Sequence, residues 1–122
     1  MIEEALRDIL LSDTTLYGYV GTRVFPVELP LDCVFPALAY SEISNPHRRI
    51  SGNPRVQIDI FSEDFTESRT IKTALENALD GYSGTVLGHN IEIIVPLDSH
   101  DDYNSETGIY HIPYDFKIIY RK

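Results

Sequence analysis

At 122 residues the chain is the size of one ordinary domain, long enough to bury roughly two-thirds of the surface its unfolded form exposes, so no metal or disulfide is needed to fold it. The single cysteine, Cys33, excludes an internal disulfide, fits a reducing cytoplasm better than a secreted, stapled scaffold, and is expected to act as a small buried hydrophobe. The net charge of −9 argues against a surface that holds duplex DNA by neutralising phosphates; an acidic surface keeps a chain soluble and repels DNA that passes it.

The opening Met1-Ile2-Glu3-Glu4 lacks the positive stretch and apolar run of a signal peptide. No segment approaches the roughly 18 continuous apolar residues of a membrane helix. Neither export nor a membrane partner is expected. Ile2, Ala5, Leu6, Ile9 and Leu10 share one helical face, which predicts a first helix over Ile2 to Leu11, with Glu3 and Glu4 at its positive end. Ser12 to Thr15 breaks that pattern, and Gly18-Tyr19-Val20-Gly21 reads as a turn. A short strand is expected near Arg23 to Phe25 and another over Ala37 to Ile43. Ser44 to Pro54 is turn-rich and short of apolar anchors. Arg55 to Phe61 alternates with period two. A second helix is predicted over Phe65 to Leu79, opened by Asp64 with Glu67 as a variant capping box and closed near Gly81.

After it, Thr85-Val86 and Ile91 to Val95 read as a hairpin turning at Gly88-His89-Asn90. Asp98 to Gly108 reads as a polar loop. From Tyr110 to Tyr120 the apolar residues alternate strictly, with Pro113 interrupting. Proline cannot donate to a ladder, so this strand is expected at a sheet edge or with a bulge there. No repeat or linker divides the chain. The expected fold is α+β: one domain over residues 1–122, an antiparallel or mixed β-sheet with two α-helices packed on one face.

Little in the pattern points to catalysis. Asp98-Ser99-His100-Asp101-Asp102 could hold a hard cation, but it lacks the alternating ligands and central glycine of a calcium loop, and a solvated acidic loop explains it as well. His47, His89, His100 and His111 show no zinc-ligand spacing. There is no GxSxG elbow, Walker loop or dinucleotide fingerprint. Tyr40, Tyr110, Tyr114 and Tyr120 belong to strands. Tyr17, Tyr19, Tyr82 and Tyr103 sit near turns, where tyrosine suits a protein interface better than single-stranded nucleic acid, whose binders need a basic groove.

An ordered series runs along nearly the whole chain: an amphipathic opening helix, Val20-Gly21-Thr22-Arg23-Val24-Phe25-Pro26, Leu29-Pro30, Phe35-Pro36-Ala37-Leu38-Ala39-Tyr40, Arg55-Val56-Gln57-Ile58-Asp59, a second helix, then Glu106-Thr107-Gly108-Ile109-Tyr110 and Asp115-Phe116. In this order the blocks resemble the tail completion, or tail terminator, proteins of siphophages and prophages that join tail to head. Pro113 departs from that pattern.

The resemblance implies a structural virion protein and no enzyme: a protomer of a six-fold ring on the head-proximal end of the tail tube, assembled in the host cytoplasm. Its partners would be its own copies, the tail tube protein and the head connector or stopper, with DNA passing through unbound. It implies no catalytic residue, cofactor or metal. A ring of head-to-tail contacts needs two different patches on each protomer. Candidates for these contacts or for the channel wall are Asn45, His47, Arg48, Arg49 and Asn53 in one loop, and Asp98, Asp101, Asp102, Tyr103 and Glu106 in the other. The rival readings are another head–tail connector or tail component, a small ligand-binding regulatory domain on a ferredoxin-like sheet, and a metal-dependent hydrolase using Asp98, His100 and Asp102.

Overall fold

The computed structural model describes residues 2–46 and 51–121. In chain order the elements are α1 (Ile2–Ser12), α2 (Thr14–Val20), β1 (Val24–Pro26), β2 (Ala37–Ser44), β3 (Ser51–Gly52), β4 (Arg55–Ser62), α3 (Phe65–Leu79), β5 (Gly84–Val86), β6 (His89–Ser99), β7 (Asp102–Asn104) and β8 (Ile109–Arg121). The strands form one sheet in the order β1-β2-β4-β8-β6-β5, with β3 and β7 pairing at the two ends of β8. Only β1 and β2 run parallel among the paired strands.

Three helices, not the expected two, accompany this sheet. α1 and α3 contact it directly, while α2 packs against both of them. The missed helix covers the stretch read as a break and a turn. Asp13 caps it by accepting from the Leu16 N–H at 2.9 Å. It buries only Leu16 and Val20, too few to show a helical stripe, and it carries Gly18 in its interior. Gly21 closes it with a φ of 57°, a conformation that costs glycine least.

α3 has the expected bounds, and its cap is richer than the sequence shows. Asp64 accepts from the Glu67 N–H at 2.8 Å. The Glu67 carboxylate does not return to the Asp64 backbone, as it would in a capping box. It accepts from the Ser62 hydroxyl at 2.7 Å, and Ser62 Oγ in turn accepts from the Asp64 N–H at 3.1 Å. Ser62, at the end of β4, is fully buried and so ties helix to sheet. Asp80 is the C-cap, and Gly81 follows it at a φ of 74°.

Alternation in the strands sorts their residues by face. Leu38 and Tyr40, Val56, Ile58 and Ile60, and Ile112, Tyr114, Phe116, Ile118 and Tyr120 lie under the helical layer. With Ile91 and Ile94 of β6 they join α1 and α3 in one buried cluster. Burial of each such side chain contributes roughly 1.5–3 kcal/mol, which fixes the strand register. A slip of one residue would expose the whole set.

β8 corrects the expectation drawn from Pro113. It is a central strand, paired with β4 on one side and with β6 and β7 on the other. On that second side the partner changes at the proline: Ser99 of β6 faces Tyr114, and Asp102 of β7 faces His111. A residue with no N–H to donate therefore sits where one ladder ends and the next begins. Two other boundaries move. The hairpin turn is Leu87-Gly88, with Val86 opposite His89, and the polar segment from Asp98 is partly strand, its first two residues ending β6 and Asp102–Asn104 forming β7.

Candidate interaction surfaces

The helix-free face of the sheet carries most of the sequence's charged strand positions. Arg55 pairs with Asp115 at 2.6 Å. Asp59, nearly buried, accepts from Gln57 Nε2 at 2.7 Å and lies 3.0 Å from His111 Nε2. The His111 ring stacks on Phe61 at 4.4 Å, with the two planes almost parallel. These contacts run across β4 and β8 because the registers Phe61↔His111 and Gln57↔Asp115 set the side chains abreast.

The segment between β1 and β2 covers one end of this face. Ala37 and Ala39 point away from the helices yet are wholly buried. Leu29 and Phe35, with Phe61, His111 and the Asn104–Ile109 turn, line a cavity of about 260 Å³. The segment is tied at both ends: the Val27 N–H donates to the Tyr40 carbonyl at 2.8 Å, and Arg23 Nε donates to the Pro36 carbonyl at 2.8 Å. Between these ties Val27, Leu31 and Val34 are 70%, 95% and 64% exposed. Three large apolar side chains so exposed within eight residues make this segment a candidate contact surface. Sequence periodicity does not reveal it, because Pro26, Pro30 and Pro36 prevent a regular element. Spacing between prolines is the only signal. Cys33, expected to be buried, is half-exposed in the same segment. Partial burial raises its thiol pKa and the Arg23 guanidinium pulls it back.

Of the two loops singled out from sequence, the described residues sit at opposite ends of β8, so the structure does not bring them together. Asn45 is exposed beyond β2; His47, Arg48 and Arg49 lie outside the described residues. Asn53, half-buried between β3 and β4, has no partner for its Oδ1 among the described residues. Nearby, Gly52 packs so closely on Tyr120 that a Cβ there would overlap the ring. At the other end Asp98 accepts from the Ser99 N–H at 2.9 Å and Asp101 pairs with Arg69 at 2.9 Å. Asp102 and Tyr103 form β7, with the Tyr103 ring 4.6 Å from Tyr110. Glu106 donates its backbone N–H to Asn104 Oδ1 at 2.9 Å.

Among the described residues no group of three or more His, Cys, Asp or Glu side chains converges to hold a metal, and no helix is long and apolar enough to cross a membrane. Two further groups have shifted acidities. The Tyr114 phenol is held protonated by burial and by its hydrogen bond to Glu76 at 2.7 Å. Where α1 meets β2, burial and then the neighbouring Glu3 carboxyl raise the Glu42 pKa, partly offset by Asn45.

The chain's fold is similar to that of a chain in the solved virion of a native gene transfer agent particle. The TM-score is 0.76 at 14% identity, covering 99% of this chain and 95% of that one. No curated protein matches the sequence. The family described as tail completion protein gp17 matches residues 4–121. With nearly every residue inside that match, the chain belongs to the tail completion protein gp17 family, and it is a structural protein of the bacteriophage tail.

Proposed function

We propose that this protein caps the phage tail tube, stops its polymerisation, and joins the tail to the head connector as a ring, six-fold in keeping with the family resemblance. The observation that carries the reading is the family match over residues 4–121. The likeness in fold to a chain of a gene transfer agent virion supports a place in the particle, and the head-proximal end of the tail follows from the capping reading.

Capping is surface complementarity, with no bond made or broken. The protein therefore acts as a component and not as an enzyme. Its partners are its own copies, the tail tube protein and the head connector or stopper. The loops over residues 44–54 and 98–108 are the candidates for ring contacts or for the channel wall. The net charge of −9 suits a channel through which DNA slides without sticking, since like charge at close range repels the phosphates.

Electron microscopy of particles assembled without this protein tests the reading. Filled heads lying apart from tails, with some tails overlong, are expected. Normal, joined particles overturn it.

A further inference from the structure

On the β1 side the sheet edge is closed along β1 and open beyond it. The outer backbone groups of β1 are all accounted for. The Val24 N–H donates to the Thr22 carbonyl at 2.8 Å, and Arg7 Nε donates to the Val24 carbonyl at 3.1 Å. Pro26 has no N–H, and its carbonyl accepts from the Glu28 N–H at 2.8 Å. Natural edges are blunted by such means. β2 runs from Ala37 to Ser44, however, and β1 pairs only with Leu38 to Tyr40. The last bond on that side is the one from Val27 to the Tyr40 carbonyl, and Val27 then turns the chain away at a φ of 66°. Successive strand residues direct their backbone groups to opposite neighbours. Glu42, two residues past Tyr40, therefore aims its N–H and C=O where β1 has left, and neither has a backbone partner among the described residues.

A cavity of about 490 Å³ opens at this place, between Val27, Tyr40 and Ser41 and the side chains of Glu3, Glu4 and Glu42. No basic residue lines it, and none of the three carboxylates has an ion pair among the described residues. Arg7 and Arg23, the cations beside β1, donate instead to the carbonyls of Val24, Tyr19 and Pro36. Val27 and Ile43 are exposed beside the gap.

We infer that this edge receives an extended segment of another protein, apolar and carrying lysine or arginine, which continues the line of β1 and pairs with the backbone of Glu42. Main-chain bonds hold such a segment to the sheet, its apolar side chains pack against Val27 and Tyr40, and its cation meets the carboxylates. Nucleic acid is repelled by the same carboxylates. A second copy has no free basic strand to lend: among the described residues the strands with lysine or arginine, β4 and β8, are both central. The inference stands apart from the capping reading, which micrographs of the particle test.

Amide hydrogen exchange of the full chain, followed by NMR with and without a synthetic peptide, tests it. The probe is a short peptide alternating valine and lysine. Its control has the same charge but N-methylated amides. In the free protein the Glu42 amide should exchange fast, while that of Ser41, which faces Gln57 of β4, is protected. The peptide should slow exchange at Glu42, and the methylated control should not. Glu42→Gln keeps the N–H and should weaken binding and its salt sensitivity. Glu42→Pro removes an N–H that β4 does not use and should abolish binding, with thermal melts establishing that both variants fold. Val27→Lys, which places a cation at the exposed mouth, should also abolish it and serves if the proline variant does not fold. A Glu42 amide already protected in the free protein at low concentration overturns the inference. So does exchange unchanged by millimolar peptide, or equal binding of the methylated control. Protection that appears with rising protein concentration alone overturns it too, because the occupant is then a second copy.

Discussion

The two faces of one strand, β8, are made by alternate residues of a single run, and they do different work. Toward the helices, Ile112, Phe116 and Ile118 are almost wholly buried in the core. Toward the open side, His111, Asp115 and Lys117 are half-exposed, and two of the three are held in polar contacts with β4. The helix-covered face decides whether the chain folds, because apolar burial there is large and register-dependent. The open face contributes less to stability, and its exposed groups can meet other molecules. In a protein that acts by assembling, stability and recognition are thus separated by the thickness of one sheet.

The sharpest break of this comparison is at adjacent residues. Phe116→Ala removes a fully buried ring stacked 4.4 Å from Tyr114 and is expected to cost about 3–5 kcal/mol. Lys117→Ala, one residue on and facing outward, should change stability by less than about 0.5 kcal/mol. Urea unfolding of both variants checks the pair. Equal losses would mean that the two faces are not energetically distinct.

The open face is not inert where its polar groups are nearly buried. Asp59 serves both Gln57 and His111. Asp59→Ala leaves these two without their acceptor and is expected to cost about 1–2 kcal/mol, the lower part of the range for an orphaned partner because water reaches the half-exposed imidazole. A neutral Asp59→Ala in the same unfolding assay would mean that this ladder serves recognition alone. A smaller effect is expected at the junction between the layers. Asp64→Ala removes the side-chain cap of α3 and should lower stability by about 1 kcal/mol, whereas Asp64→Asn, which still accepts from the Glu67 N–H, should retain most of it. Equal melting temperatures for Ala and Asn would show that Ser62, not Asp64, holds the helix start.

How much of this was legible beforehand follows the same division. The helix-covered face is written in period-two alternation at Val56-Ile58-Ile60 and Tyr110 to Tyr120, and α3 in its Asp64 cap and apolar stripe. Those signals are local. α2 escaped because seven residues with two buried side chains and an internal glycine form no stripe, and its helix is held by neighbours that sequence spacing does not reveal. The missing N–H of Pro113 predicts a sheet edge or a bulge there. The premise was sound, but a ladder can also be interrupted by a change of partner, as from β6 to β7. The candidate surface was the least legible part. The loop segments over residues 44–54 and 98–108 were visible by their polarity, but the apolar segment after β1 was not. Whether Val27, Leu31 and Val34 face a core or water depends on what packs above Ala37 and Ala39, a tertiary fact.

The smallest effect belongs to the acidic corner between the layers, and there pH is the handle. The Glu42 carboxyl pKa is raised by burial, then by hydrogen bonding and charge repulsion with Glu3. A carboxyl whose folded pKa exceeds its unfolded value binds its proton more tightly in the native state. It therefore favours folding at low pH, and that contribution is lost as pH rises through the folded pKa. At neutral pH the wild type bears an ionised Glu42 beside Glu3, while Glu42→Gln does not. The variant should thus melt slightly higher than wild type at pH 7. The gap should narrow as pH falls through Glu42's raised pKa and close once the wild-type carboxyl is protonated in both states. Because the group is largely solvent-exposed, the shift is expected to be small and to shrink further in high salt. Melting curves of both proteins across that pH range check it. A gap independent of pH would mean that Glu42→Gln acts through packing, and that the corner where α1 meets β2 belongs energetically with the core instead of with the open surface.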